Sequence, residues 1–512
     1  MSHKNIIGID LGTTMSAIAK LNELGIPEII PNNDGERIMP SVIKFSKNSL
    51  LIGEEAKNSA ADEPERVAKE FKREMNNPDY RFSVDGKEYA AHELSSMILK
   101  KLVQDASEKI GAIKQVVITV PAYFKDSQRN ATIEAGKLAG LDVIAIINEP
   151  TAAALFYAKE SNIQGKGIVY DLGGGTFDIT LTQTDGNNIK VLASEGDSRL
   201  GGVDFDKIVL DIMQEKYKEQ INEELCNDAE SREEFSLMAE DIKKTLSKKD
   251  VVKKKIRGDS GSATIEISRS EFEDKASTLI ARTEMLLEQL LDETNTKVTD
   301  IDYVLLVGGS TRIPAIRKSI KGIFGKEPLN VVNVDEVVAL GAAIKAGMVM
   351  INKSPAVVSQ SVKSGLGELV VQDVANHSYG IVFFDVNKQE DYNQIIIKKN
   401  TPIPCVKTTN GSPVYDNLEG INIKVTQGEG TDIEYVDIID SFTLPLPPGT
   451  PAGDNCKYTY SYDENQIMHC KAEHIRSGNT AESSVRVQSG KRNITNTAQE
   501  VDTNPLDEFL IE

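Results

Sequence analysis

The chain has 512 residues, 40% of them hydrophobic, which is enough for more than one buried core. Its 58 basic and 78 acidic side chains give a formal charge of −20, which serves solubility and argues against nucleic acid or an anionic membrane as a main partner. No eighteen apolar residues follow one another, the apolar run at 6–9 is too short for a signal peptide, and Cys226, Cys405, Cys456 and Cys470 form no Cys-x-x-Cys, so a reducing, cytoplasmic setting is expected.

From the amino terminus to residue 352, strand-like and helix-like stretches alternate, as in an α/β fold. An apolar run enters the turn Gly8-Ile9-Asp10-Leu11-Gly12-Thr13-Thr14. Residues 93–110 space Leu94, Met97, Ile98 and Val103 as one helix stripe, and residues 126–139 do the same with alanine, isoleucine and leucine. A turn of the first kind recurs in Val169-Tyr170-Asp171-Leu172-Gly173-Gly174-Gly175-Thr176. Residues 207–256 are charged and helical in pattern, then turn at 258–261 into a short strand at 263–267, which suits a smaller lobe over a ligand. Tyr303-Val304-Leu305-Leu306-Val307-Gly308-Gly309-Ser310-Thr311-Arg312 runs from a strand through a glycine turn toward a helix start, a seat for an adenosine against backbone.

Glycine lets a backbone turn tightly and aim its N–H groups at phosphate oxygens. A triphosphate with its magnesium needs such donors on both sides, with carboxylates held back to order the metal's waters. Asp10 and Asp171 occupy equivalent places in the two turns, so the pattern predicts a duplicated fold closing on one nucleotide. One such turn alone reads as an ordinary hairpin; the matched pair sets that reading aside. Neither turn is a Walker loop or a dinucleotide fingerprint.

Past Met350 the composition changes. Residues 353–374 read as an interdomain linker, a small-residue stretch at 361–367 followed by the apolar patch Leu369-Val370-Val371-Gln372-Asp373-Val374. From Tyr379 onward the pattern is all-β, with period-two alternation at 421–425, 458–462 and 485–487 between turn clusters. This predicts a β-sandwich over 375–490, followed by a short polar tail at 491–512.

In this order the motifs resemble the 70-kilodalton heat-shock chaperone family (DnaK-type), within the actin and sugar-kinase superfamily. Val120-Pro121-Ala122-Tyr123-Phe124, Asn148-Glu149-Pro150-Thr151-Ala152-Ala153-Ala154, Arg199-Leu200-Gly201-Gly202 and Val334-Asp335-Glu336 all fall in family sequence between about Ile6 and Gly490. The resemblance implies a multidomain α/β plus all-β chain: an actin-like (ribonuclease H-like, duplicated) ATPase domain at 1–352, the linker, and a β-sandwich peptide-binding domain. It implies an ATP-dependent chaperone in which hydrolysis of ATP to ADP and phosphate changes affinity for extended hydrophobic peptides of unfolded proteins.

Carried over residue by residue, Gly12, Thr13 and Thr14 resemble the first phosphate contact, and Gly173, Gly174, Gly175 and Thr176 the second. Asp10 and Asp171 would hold the waters of Mg²⁺, with K⁺ a further candidate cation. Lys72 matches the lysine beside the γ-phosphate, Glu149 the acid that orients water, and Asp178 a neighbour in the same catalytic cluster as Thr176. Glu240, Lys243, Lys244 and Ser247 match residues that grip ribose and adenine opposite Gly308, Gly309, Ser310 and Arg312, with Gly201, Gly202 and Asp335 in the same set. Without the resemblance, Lys72 reads as a solvated lysine, Glu149 as a helix-start carboxylate and 240–247 as a charged helix face.

Pro121 and Arg129 match a pair that relays nucleotide state to the linker, whose Leu369, Val370, Val371 and Asp373 dock on the first domain with ATP and come free with ADP. Gln372 stands where the family usually has leucine, so docking is expected to be weaker. Ile381, Phe384, Val414, Ile421 and Ile423 match the peptide groove, although Ile421 and Ile423 also read as core, and an insertion at 385–391 follows Phe384. Ala145 replaces an arginine that in bacterial relatives engages the J-domain cochaperone, which puts stimulation by ordinary J-domain proteins in question; a nucleotide-exchange factor is an expected partner. The tail is too short for the family's helical lid, which implies fast peptide exchange. Two rival readings are an ATP-binding, noncatalytic regulator or exchange-factor-like relative, and a small-molecule kinase of the same superfamily. The full set of catalytic groups opposes the first, while Ala145, Gln372 and the short tail favour it; the second would not need the sandwich.

Overall fold

The apolar runs before the two glycine-threonine turns are strands buried on both faces, as central strands of covered sheets must be. In the computed structural model, which describes residues 5–47, 49–161, 163–329, 333–463, 466–484 and 510–511, Ile7–Asp10 pairs antiparallel with Met15–Leu21 and parallel with Gln115–Val120. Gly165–Leu172 repeats this, antiparallel to Phe177–Asp185 and parallel to Tyr303–Val307. Pro27–Ile29 and Asn188–Asp197 then add as the third antiparallel strand of their respective sheets. The same local order thus occurs in both sheets.

Between the sheets lie the helices Glu149–Ser161 and Val337–Lys353. Ala152, Ala153 and Ala154 are fully buried, and a Cβ at Gly341 would overlap the Ala152 carbonyl, so only small residues let the two helices come this close. Two smaller pieces cover the cleft. One holds the helix Glu54–Asn58 and the strands Ile43–Phe45, Ser49–Ile52 and Val67–Ala68; the other holds the helices Gly202–Ile221 and Ala229–Leu246 and the hairpin Val251–Gly258 with Gly261–Ser268. Residues 251–256, expected as helical, are strand instead: Val252 and Ile256 are buried while Val251, Lys253 and Lys255 are exposed, a period-two pattern hidden by three consecutive lysines.

The stretch 353–374, expected as linker, folds in its first part onto the helices between the two sheets. Val358, Val362 and Leu366 recur every four residues and bury with Leu21, which makes the helix Gln360–Leu366; Ser359 caps it by accepting the Val362 N–H at 3.2 Å. The chain then extends, and Val370–Gln372 adds parallel to Asn188–Lys190 at the edge of the second sheet.

Beyond it, two four-stranded antiparallel sheets share one core. One runs Glu390–Ile397, Tyr379–Asp385, Gly420–Gln427, Asp437–Pro445, the other Cys405–Gly411, Cys456–Tyr462, Met468–His474, Thr480–Ser484. Strand alternation turns Ile381 and Ile423 inward with Tyr379 and Val425, each at most 1% exposed. Ile381 and Ile423, two of the five residues expected at a peptide groove, are core in this conformation. Ile421 packs half-buried against that core, and Phe384 and Val414 are half-buried. The expected alternation at 485–487 and the tail lie outside the described residues, except that Leu510–Ile511 is a strand parallel to Ser49–Leu50.

Candidate active site

The two glycine turns meet face to face. A Cβ at Gly174 would overlap the Thr14 side chain and one at Gly175 that of Thr13, so the approach of the hairpins requires glycine at both positions. Gly308, at φ +82°, lets its own turn pass against the Leu172 carbonyl, and Ser310 Oγ donates to the Gly173 carbonyl at 2.8 Å. Gly201 abuts Gly175, and Gly202 abuts Ser310 and Lys243. The glycines, threonines and serine singled out in the sequence are therefore packed into one place.

Strand ends deliver the carboxylates. Asp10 Oδ1 accepts from Thr119 Oγ1 at 2.7 Å, and Asp178 Oδ1 accepts the Tyr123 N–H at 2.9 Å. Lys72 Nζ donates to Glu149 Oε1 at 2.7 Å, both groups buried, and stands 5.5 Å from the centre of the Phe124 ring. Burial, followed by the charge on Glu149, pushes Asp10 up to about 7 and Asp178 up to about 7. Asp171 is pushed well above the usual carboxylate range by burial and then by Glu149, Asp178 and Asp10. Among the described residues one ammonium thus serves four desolvated carboxylates, an imbalance that a bound cation relieves. Among the described residues no trio of His, Cys, Asp or Glu is placed to ligate a metal directly. The donor set fits a magnesium held through water and phosphate oxygens.

The turns, with Asp10, Lys72, Glu149 and Asp171, form one end of a cavity of about 900 Å³. Its other end is lined by Glu240, Lys243, Lys244, Ser247 and Arg312. Lys243 Nζ is held by Asp206 at 2.7 Å and by the Gly202 carbonyl at 2.9 Å, and Arg312 by Asp335 at 2.6 Å. Against the effect of burial, Lys57 and Lys244, at 2.6 and 2.7 Å, hold Glu240 down to about 2.

Lys57–Glu240 and Lys69–Glu233 bridge the cavity mouth, and Leu237 packs there on Val42, Ala56, Ala60 and Val67 of the opposite lobe. Partly exposed pairs contribute about 0–1 kcal/mol, whereas a leucine contact contributes about 1–2 kcal/mol. Leu237→Ala is therefore expected to speed ADP release about tenfold, and Lys57→Ala by a few-fold at most. Stopped-flow release of a fluorescent ADP measures both; a larger effect from Lys57→Ala would contradict this ranking.

The family model of the Hsp70 protein matches residues 6–504. The chain belongs to the Hsp70 family. The DnaK chaperone protein of Thermotoga neapolitana is 39% identical over 487 residues, 92% of this chain and 79% of that protein. Those of Thermotoga petrophila and Thermotoga maritima match to the same extent. The chain is an ATP-hydrolysing chaperone. Among the described residues no helix is long and apolar enough to cross a membrane.

In this Hsp70 chain hydrogen bonds join the edge of the carboxylate cluster to Asp373. Asn148, next to Glu149, donates to Asp373 Oδ2 at 3.0 Å and accepts from Arg129 Nη2 at 2.8 Å. Thr151 and Gln466 also donate to Asp373 Oδ2, at 3.2 and 2.9 Å. Arg129 holds the turn after Pro121 through the carbonyls of Ala122 and Phe124, at 2.9 and 3.0 Å. That turn touches Lys72 through Phe124 and the carboxy-terminal sheets through Tyr123, whose carbonyl lies 3.2 Å from His377 Nε2. Tyr379 donates to Asp126 at 2.9 Å, Lys125 pairs with Asp437 at 2.5 Å, and Lys399 pairs with Glu195 and Glu293. Tyr123, Phe124, Asp126, Asn148 and His377 were not singled out individually from sequence, although Tyr123, Phe124 and Asn148 stand inside motifs that were. Leu369 and Val371 pack half-buried beside the helices between the sheets, Val370 is 53% exposed, and Ala145 is 4% exposed on the first sheet's edge strand.

Proposed function

We propose that ATP lies between the hairpins at Asp10–Thr14 and Asp171–Thr176, with its adenosine toward Glu240, Lys243, Lys244, Ser247 and Arg312, and that its hydrolysis sets peptide affinity in the carboxy-terminal β-sandwich of an actin-like chaperone. The observation that carries this reading is the Lys72–Glu149 pair beside two abutting glycine turns at one end of a cavity of about 900 Å³. Mg²⁺, when bound, neutralises charge on the phosphates. Asp10 and Asp171 would hold its waters, Lys72 would stabilise charge on the transferred group, Glu149 and Asp178 would orient the attacking water, and Thr176 would contact the phosphate. Single-turnover hydrolysis in wild type and Lys72→Ala tests the reading.

The relay runs from Glu149 through Asn148 to Asp373, and from the Pro121 turn and Arg129 to the sandwich. The partner is an extended hydrophobic peptide at the sandwich loops near Phe384, Val414 and Ile421, with Ile381 and Ile423 beneath. Engagement of ordinary J-domain proteins would be weak without a guanidinium at Ala145, and a nucleotide-exchange factor would act at the cleft mouth. Four cysteines outside any disulfide suit a cytoplasmic setting. The noncatalytic alternative is disfavoured by the convergence of Lys72, Glu149, Asp171 and Asp178.

Docking of the sandwich is expected to carry a pH dependence. His377 sits among Tyr123, Lys125, Arg129 and Glu429; burial, and then Arg129, lowers it from 6.5 to about 4. A base depressed in the docked state favours docking above pH 6.5 and loses that contribution as pH falls toward 4, about tenfold by pH 5.5. Asp126, raised to about 6 by burial, works the other way, so the histidine is isolated by comparison with His377→Gln. Energy transfer between labelled domains measures docking. Identical pH curves for the two proteins would refute the assignment.

A further inference from the structure

The loop joining Met468–His474 to Thr480–Ser484 carries a relay unrelated to nucleotide. His474 is 1% exposed; its Nε2 lies 3.0 Å from Asp454 Oδ2 and its Nδ1 lies 2.8 Å from Ser477 Oγ. A carboxylate only accepts, so in the neutral ring the proton sits on Nε2 and Nδ1 is an acceptor. The Ser477 hydroxyl therefore donates to the ring, while its oxygen accepts the Asn479 N–H at 3.2 Å. Arg476 Nε fixes Asp454, at 3.1 Å, from outside the ring. Ser477 itself is exposed.

Backbone bonds already close the turn, from the His474 N–H to the Asn479 carbonyl and from the Gly478 N–H to the His474 carbonyl, both at 2.9 Å. Burying an imidazole against a carboxylate adds a desolvation cost that turn closure does not call for. An exposed hydroxyl bonded to a histidine that a half-buried aspartate orients is the arrangement of an activated serine. We propose that Ser477 is a covalent acyl-acceptor site, with His474 as its general base and Asp454 as the positioning residue. The neighbouring Gly478 N–H is already bonded to the His474 carbonyl at 2.9 Å, so it offers nothing to a developing oxyanion. The acyl donor must then bring its own good leaving group, which points to an acyl thioester rather than an amide. Ser477 Oγ attacks the thioester carbonyl carbon, forming the C–O bond as the C–S bond breaks. The hydroxyl proton passes to His474 Nδ1 and on to the departing thiolate, leaving an O-acyl serine and a thiol with no change of oxidation state.

Incubation of the intact protein with S-acetyl-N-acetylcysteamine, followed by peptide mass spectrometry, tests this. Ser477 is expected to acetylate at least tenfold faster than the exposed Ser260 and Ser412 of the same molecule. That excess is expected to disappear in His474→Gln and to shrink in Asp454→Asn. The two reference serines make the wild-type result independent of how any variant folds. Acetylation of Ser477 at the pace of Ser260 and Ser412, or an undiminished excess in His474→Gln, overturns the proposal.

Discussion

Lys72→Ala is expected to lower the single-turnover rate of ATP hydrolysis by about 10²–10³-fold while ATP affinity changes only a few-fold. Among the described residues Lys72 Nζ is the one ammonium hydrogen-bonded within the cluster of Asp10, Glu149, Asp171 and Asp178, at 2.7 Å from Glu149. Charge on the transferred phosphoryl group would lose its donor at the moment of reaction, whereas most binding contacts come from the hairpin backbones and the adenosine end. The variant also leaves Glu149 buried and unpaired, which costs about 3–5 kcal/mol of stability. Lys72→Ala with Glu149→Gln removes that charge, so its thermal midpoint is expected to recover while hydrolysis stays lost. Unchanged hydrolysis in folded Lys72→Ala would remove the lysine from the chemistry.

Asp373→Ala is expected to collapse the difference in peptide affinity between the ATP and ADP states. One oxygen of this carboxylate collects Asn148, Thr151 and Gln466, and the other accepts the Val374 N–H at 2.9 Å. Hydrogen bonds to a charged group are worth about 1.5–3 kcal/mol, and loss of the acceptor strands several partly buried donors. A loss of about 3 kcal/mol would weaken linker docking by about 100-fold. The neighbouring seam cannot make this up, because Arg129 Nη1 and Asp126 Oδ2 are buried there with no hydrogen-bond partner. Peptide affinity with ADP is expected to stay at the wild-type value, and affinity with ATP to rise to meet it. Fluorescence anisotropy with a labelled apolar peptide measures both; a preserved difference would mean that the relay bypasses Asp373.

How far the chain could be read in advance depended on how local each constraint is. The facing hairpins were legible because close backbone approach admits only glycine at Gly174 and Gly175, and because Asp10 and Asp171 repeat the same local pattern. Lys72 and Glu149 are 77 residues apart and carried no local signal; family order alone brought them together. The helix Gln360–Leu366 was hidden by Ser361, Ser364 and Gly365, which diluted the spacing of Val358, Val362 and Leu366. The strand Val251–Gly258 was hidden by its lysines. Contacts between the ATPase unit and the sandwich, such as His377 with Tyr123 and Tyr379 with Asp126, join residues more than 250 apart and are set by tertiary packing alone.

The most direct test is the affinity of one extended apolar peptide for the intact chain, measured with saturating Mg-ATP in hydrolysis-deficient Lys72→Ala and with Mg-ADP in wild type and variant. Coupling through Asn148 and Asp373 requires weaker binding with ATP, by tenfold or more, and equal binding of both proteins with ADP. Equal affinity in the two nucleotide states would contradict the account.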